Sequence, residues 1–389
     1  MKAVFQNIFL FFTIMKKTFL YSAIIVCTVL ISLEIVCRII EHWIPPHIVD
    51  IGLGFTPQSR LFVEDENRRG FMRTAPAKTI AFHTDSFTIK KDKRSCRIFA
   101  LGESSVNYLD SEFRLLEVRL RKHLQGRFDD VDIINAGGLS YGSQRLVPIT
   151  AEIMNYNPDL VLLYSGHNEF EEISQLKFAS LKTIWFQQLI AKSALLRCMR
   201  DRITDVIVAK LRSDHNNRIL KRERPDWSEA LRYNFTVKDV RTRMENYRNN
   251  LSRIIEICNK NRVPIIIGTV PSNLVNPYLP NSAEDQYKKV YELFDDKKYL
   301  EAANLGRLII KNTPGRHQSS DSENKIIRSL AAEYGCPLAD VEKNIIADEP
   351  HNVPGMALFK DHCHLNAKGN KILINTYEPL ILEILKQKQ

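Results

Sequence analysis

Apolar residues along this chain keep two rhythms. Arg97–Leu101, Val131–Ala136, Leu160–Tyr164, Val263–Thr269 and Pro337–Asp340 are short, nearly continuous apolar runs, and they read as strands. Between them the spacing becomes helical. Ser111–Gln125 carries Phe113, Leu116, Val118, Leu120 and Leu124. Ser143–Tyr156 follows and is stopped by Asn157-Pro158-Asp159. Val240–Asn261, Asn324–Tyr334 and Ala367–Tyr377 complete the set, the last with Asn366 as its cap and Pro379 restarting or kinking the terminal segment. Strands apolar on both faces, alternating with helices, predict an α/β fold: a central parallel sheet in a three-layer α/β/α sandwich. Ligands of such sheets bind at the carboxyl ends of the strands. The loops there are "GESS" after the first strand, "AGGLSYGS" after the second and "SGHNE" after the third.

Two stretches break the alternation, at about 170–233 and 281–316. In the first, Trp185, Leu189, Leu196, Met199, Ile203, Val206 and Leu211 form a helical stripe, and residues 192–224 hold ten Lys or Arg against four Asp or Glu. It reads as the solvated face of a lid or packing helix, or as a basic surface for anionic headgroups or an acidic glycan. The second, "AEDQYKKVYELFDDKKYLEAANLGRLIIKNTPG", resembles one tetratricopeptide-like helical hairpin. A single unit cannot build a solenoid, so a helical excursion packed on the main domain is expected.

The N-terminal pattern differs from both. Phe19–Cys37 is apolar apart from hydroxyls and Glu34. As a helix it rises about 28 Å, close to the hydrocarbon thickness of a bilayer. Glu34 lies near the far end, where headgroups can solvate it. Lys16 and Lys17 precede the run and only Arg38 follows closely, which places the N-terminus in the cytoplasm and the rest outside. No A-x-A-like site follows, so an uncleaved anchor is expected rather than a signal peptide; Met15 is an alternative start. The plan is therefore 1–43 as tail and transmembrane anchor, 44–95 as a juxtamembrane segment with short strands, and 96–389 as the main domain with both insertions.

The net charge of the 389-residue chain is +10, which favours anionic partners. Nucleic acid is excluded by the extracytoplasmic placement and by the lack of a basic motif interleaved with aromatics. Seven cysteines without a CxxC pair give neither a disulfide framework nor a zinc site.

Chemistry gathers at two distant places. In "RIFALGESSVNYLD" a Gly-x-Ser follows the first strand, a weak signal alone because turns favour both residues. In "FKDHCHLNAKGN", Asp361 and His364 are three apart in a loop. A carboxylate there can fix the imidazole tautomer while the imidazole takes a serine's proton. The Asn168 amide and the backbone N–H groups of Ser104 and Ser140 are candidate donors to an oxyanion. Gly137, Gly138 and Gly142 allow close approach to a ligand. His362, Cys363 and His364 do not read as a metal centre, because chain neighbours point apart and no second ligand cluster stands out. No cofactor is implied.

These blocks, in this order, resemble the SGNH (GDSL-like) hydrolase family: Gly102-Glu103-Ser104, "NAGGLSYGS", Gly166-His167-Asn168-Glu169 and Asp361-His362-Cys363-His364. The resemblance runs from about Arg97 to the end, less the insertions. It implies a flavodoxin-like sandwich with Ser104 as nucleophile, His364 as base and Asp361 as its orienter. It implies an oxyanion hole of Ser104, Ser140 and Asn168, with Gly138, Gly166 and His167 lining the substrate; Ser105 would be structural. Three positions depart from the family pattern: Glu103 and Glu169 replace Asp, and Ser140 replaces a glycine. The anchor and "TIKKDKRSCRIFALGESS" are similar to a membrane-anchored bacterial branch. That branch implies acyl, commonly acetyl, esters of envelope or exported polysaccharide, handled by a single-pass protein of the inner membrane with its domain on the periplasmic side. Hydrolysis and transfer to a sugar hydroxyl both stay open, as does the oligomeric state. Two other readings stand beside this one: a lipid esterase or thioesterase with the Trp185–Leu211 stripe as lid, and a non-catalytic glycan-binding or assembly protein.

Overall fold

A computed structural model describes residues 2–43, 60–79, 81–172, 192–199, 202–203, 206 and 236–387. The chain divides into two compact units, Met1–Ile48 with Leu181–Pro225, and Val49–Ser180 with Asp226–Gln389.

In the first unit, helix α1 spans Lys2–Trp43. Its Lys17–Trp43 portion is long and apolar enough to cross a membrane. Glu34 does not depend on headgroups for solvation. Its carboxylate accepts the backbone N–H of Ala194 (2.9 Å) and Leu195 (3.0 Å) and the Ser193 hydroxyl (2.7 Å), so it caps the helical residues 194–199. Arg197 grips Glu41 with two hydrogen bonds, 2.8 and 2.6 Å. Of the apolar stripe in the first insertion, Met199, Ile203 and Val206 are exposed; Trp185, Leu189 and Leu211 lie outside the described residues.

The second unit opens with a small antiparallel sheet, ordered β1 (Phe62–Glu64), β2 (Phe71–Thr74) and β3 (Ser86–Thr88). Glu152 accepts the N–H groups of Leu61 (2.7 Å) and Phe62 (2.9 Å). Phe62 and Phe87 pack edge-on against each other at 5.0 Å and close on Phe99 and Tyr156. The juxtamembrane strands are thereby part of the same core as the main domain.

That domain follows the alternation. Its order is β4 (Ser95–Gly102), α2 (Ser104–Asn107), α3 (Asp110–His123), β5 (Asp130–Gly137), α4 (Ser143–Ile153), β6 (Leu160–Tyr164), α5 (Val237–Lys260) and β7 (Ile265–Gly268). Then come α6 (Asn281–Asp295), α7 (Tyr299–Asn312), α8 (Asp321–Tyr334), β8 (Leu338–Ala339), α9 (Val341–Asp348) and α10 (Ala367–Gln387). The five strands are parallel in the order β5-β4-β6-β7-β8, the doubly wound, flavodoxin-like arrangement. Helices α3 and α10 cover one face and α4, α5 and α8 the other. β6 and β7 are buried at every position, which is why they read as unbroken apolar runs.

Two details go beyond the sequence reading. Helix α10 continues through Pro379 to Gln387. Proline's fixed φ suits a helix, and the buried Ile381 and Leu385 hold the last turns to the core. The second insertion is the hairpin α6–α7, with its own small core of Tyr287, Val290, Ala302 and Ile310 against Leu274 and Val353.

Gly102 pairs with Gly137 on one side and Tyr164 on the other, so β4, β5 and β6 end level. The chain winds away from β4 in both directions, and this switch point opens a crevice at the carboxyl edge. Ser104 stands in it.

Candidate functional site

Ser104 is the first residue of α2, two positions past the end of β4. The turn is tight enough that a Cβ on Gly102 would lie 2.2 Å from the Tyr164 carbonyl oxygen. Only glycine lets the strand enter the helix so close to β6. Asp361 and His364 arrive from the loop before α10, which the Phe359–Leu365 bridge closes.

His364 Nε2 lies 2.8 Å from Ser104 Oγ, and His364 Nδ1 lies 2.8 Å from Asp361 Oδ2. Asp361 Oδ1 accepts the backbone N–H of His364 (2.7 Å) and of Cys363 (2.9 Å). Burial raises the Asp361 carboxyl, but the His364 ring bond and the two backbone donors outweigh it and hold the group well below the ordinary carboxylate range. With Asp361 ionised, the proton on Nδ1 stays on the imidazole and Nε2 presents a lone pair to the serine. A buried amide sets the loop itself: Asn273 donates to the Asp361 carbonyl (2.9 Å) through its side chain and to the His362 carbonyl (3.2 Å) through its backbone.

The oxyanion candidates sit on the neighbouring loops. Among the described residues the N–H groups of Ser104 and Ser140 donate to no protein acceptor. Ser140 takes φ +60°, a left-handed conformation where glycine is the unstrained choice. Its hydroxyl donates to Glu171 Oε1 at 3.0 Å, and its carbonyl accepts from Arg145. Asn168 donates one amide N–H to the Tyr141 carbonyl (3.2 Å), which orients the group and leaves its second N–H. Gly138, Gly166 and His167 are all buried. A Cβ on Gly138 would meet the Tyr141 and Phe82 rings at 2.7 and 2.8 Å. His167 Nδ1 accepts the Ser319 N–H (3.2 Å), so its proton is on Nε2, which is buried without a partner. Burial first, and then the nearby His364, His362 and His317, push His167 well below its ordinary value and keep it neutral.

Two replacements of the usual Asp are structural ties. Glu103 accepts the Ser165 hydroxyl (2.7 Å), the Gly166 N–H (2.7 Å) and the His167 N–H (2.9 Å), and so welds the third block to the first. Glu169 accepts the Ser143 N–H (2.7 Å) and hydroxyl (2.9 Å) and pairs with the buried Arg243.

Sequence reasoning misses several neighbours. Ala81 accepts the Leu139 N–H (2.8 Å) and Phe82 bridges to Gly138, so the juxtamembrane segment holds the glycine block. Tyr108, half exposed, lies with its ring 5.1 Å from that of His364 and carries Lys360 above its face. Glu171, His317 and Tyr278 also gather here; no motif announces His317, which follows the hairpin insertion. Asp361, His362 and Cys363 bring possible ligand atoms within 4.8 Å of one another. Asp361 spends both oxygens on its loop and on His364, and burial holds the Cys363 thiol protonated, so this donor set suits proton transfer better than a cation.

A serine, a neutral imidazole and an ionised carboxylate in one hydrogen-bonded row is the arrangement that nucleophilic acyl chemistry requires. No family model matches the chain, and no curated protein matches it. Among solved structures it is similar to an acetyl xylan esterase at 15% identity and a TM-score of 0.41, covering 73% of this chain and 99% of that one. It is similar to a GDSL-like lipase from Bacteroides thetaiotaomicron at 12% identity and a TM-score of 0.38, covering 77% of this chain and 92% of that one. An SGNH-hydrolase family esterase matches at 17% identity and a TM-score of 0.32, covering 75% of this chain and 98% of that one.

Proposed function

We propose that the protein is a serine-dependent ester hydrolase or O-acyltransferase. The observation that carries this reading is the row Ser104–His364–Asp361, in which the serine and the histidine meet from positions 260 apart in sequence. Ser104 Oγ attacks the ester carbonyl carbon while its proton passes to His364 Nε2. The charge on the carbonyl oxygen is met by the N–H groups of Ser104 and Ser140 and by Asn168. The alkoxy bond then breaks, and the alcohol leaves with the proton from His364. Water, or a sugar hydroxyl in transfer, gives a proton to His364, attacks the acyl-serine and frees Ser104. Asp361 stays ionised throughout and stabilises the imidazolium.

The likeness of the four blocks to SGNH hydrolases supports this chemistry, and the N-terminal apolar helix supports a membrane anchor with the domain outside the cytoplasm. Acyl esters of envelope or exported polysaccharide are the substrate class that this reading favours. The half-exposed Tyr108 face beside His364 suits the apolar face of a sugar ring. The test is hydrolysis of short-chain aryl esters by the full chain in detergent, together with labelling by a fluorophosphonate. Ser104→Ala should lose both, with a fall in kcat of about a thousandfold or more. Hydrolysis that survives both Ser104→Ala and His364→Ala, or a label on another residue, overturns the assignment.

A further inference from the structure

Beside the serine row lies a second one that plays no part in the acyl transfer itself. Glu171 holds Ser140 Oγ on one carboxylate oxygen and His317 Nε2 on the other. His317 Nδ1 lies 2.9 Å from His362 Nε2. The His362 ring stands 6.5 Å from that of His364 and 5.3 Å from Tyr278. The row therefore runs from the oxyanion loop to the loop that bears the base.

We propose that Glu171, His317 and His362 form a specificity site in which His362 Nδ1 accepts a hydrogen bond from a free hydroxyl on the alcohol side of the substrate. Preferred esters would then be partly acylated polyols, sugars among them. The proposal rests on the ester-hydrolase reading and narrows its substrate.

Proton placement along the row carries the argument. Burial raises the Glu171 carboxyl, but its bonds from His317 and Ser140 more than offset this and lower it, so the group is an acceptor at neutral pH. His317 must then give its Nε2 proton to Glu171. A neutral His317 keeps a lone pair on Nδ1, which takes the Nε2 proton of His362. The proton of His362 is thereby fixed on Nε2, and its Nδ1 is left as an acceptor. Burial first, and then the positive charge available to His317, push His362 down to about 4; Asp361 and Glu171 pull the other way, and His364 adds to the depression. The ring is therefore neutral at neutral pH. His362 is part-exposed, and among the described residues its Nδ1 has no protein partner. An acceptor with a fixed tautomer beside the base favours a substrate O–H and disfavours an ether or a second ester at that place. Glu171 and His317 are positioning residues, since they act through His362.

The experiment compares two esters with the full chain in detergent: a mono-O-acetyl methyl glycoside with a free hydroxyl next to the ester, and the same glycoside with that hydroxyl O-methylated. The wild type should favour the free hydroxyl by about tenfold or more in kcat/KM, as a hydrogen-bonding site does when its partner is removed. His362→Phe should erase the preference, and His317→Phe should weaken it by freeing the tautomer. Equal rates on the two esters in the wild type, or an undiminished preference in His362→Phe, overturn the proposal. The wild-type comparison stands even where a variant fails to fold. If Ser104→Ala keeps hydrolysing both esters, the esterase reading fails instead, and this inference with it.

Discussion

Glu103 accepts the backbone N–H of His167 at 2.9 Å, so a side chain that precedes the candidate nucleophile holds the loop that presents Asn168. The same carboxyl takes the Ser165 hydroxyl and the Gly166 N–H. Glu103→Ala leaves three buried donors unmet. It should cost about 3 kcal/mol or more in urea unfolding, given roughly 1–3 kcal/mol for each orphaned group, and should lower kcat because Asn168 loses its anchor.

Glu103 also gives the protein a pH signature. Burial first, and then the nearby Glu169 carboxylate, push its carboxyl up to about 8 against the pull of the three donors. A folded-state value raised above the unfolded one means that the native state holds the proton more tightly. That contribution to stability is full at pH below the unfolded value and is lost as pH rises through about 8. The melting temperature should therefore fall between pH 6 and pH 9, and Glu103→Gln should flatten this part of the curve. An unchanged slope in that variant would reject the account.

Asp361 fixes the imidazole by accepting from its Nδ1 and from two backbone N–H groups. Asp361→Asn presents an amide that favours the wrong tautomer. A fall in kcat on aryl esters of about ten-thousandfold is expected. Steady-state kinetics at pH 7 with matched circular dichroism spectra would check it.

Ser140 combines a left-handed backbone with a hydroxyl bonded to Glu171. Ser140→Ala keeps the strain and loses the bond, and should destabilise by about 1 kcal/mol. Ser140→Gly loses the same bond but relieves about 1 kcal/mol of backbone strain, so its stability should stay near that of the wild type. Both keep the backbone N–H, and esterase activity should survive in each.

Phe82 lies 4.7 Å from the Tyr141 ring and closes over Gly138. Phe82→Ala should cost about 3–5 kcal/mol by the cavity it leaves. It should also lower kcat, although Phe82 touches none of the three residues of the serine row. Loss of stability with kcat intact would mean that the juxtamembrane segment does not hold the glycine block in place.

The sequence made much of this legible. The strands β4, β5 and β6 were readable because burial on both faces forces a continuous apolar run, and the loops after them were readable because turns at a strand end need glycine and small polar residues. Ser104, Asp361 and His364 could be named because their spacing within each block is local. The ties of Ala81, Phe82 and Asn273 were not legible, since backbone pairing across a fold leaves no trace in residue type. The row of Glu171, His317 and His362 was hidden for the same reason: its members come from three separate loops.

Taken alone, the order of residues set the α/β class, the apolar N-terminal helix and the candidate reacting groups, because each follows from short-range periodicity and local chemistry. Only the tertiary structure decided that Glu103 ties two loops together, that Glu34 caps a helix segment, and which way the protons lie along each imidazole row. Those facts depend on which distant groups meet within hydrogen-bond reach, and that is fixed by strand order, by the level ends of β4, β5 and β6, and by the packing of α10 against the sheet.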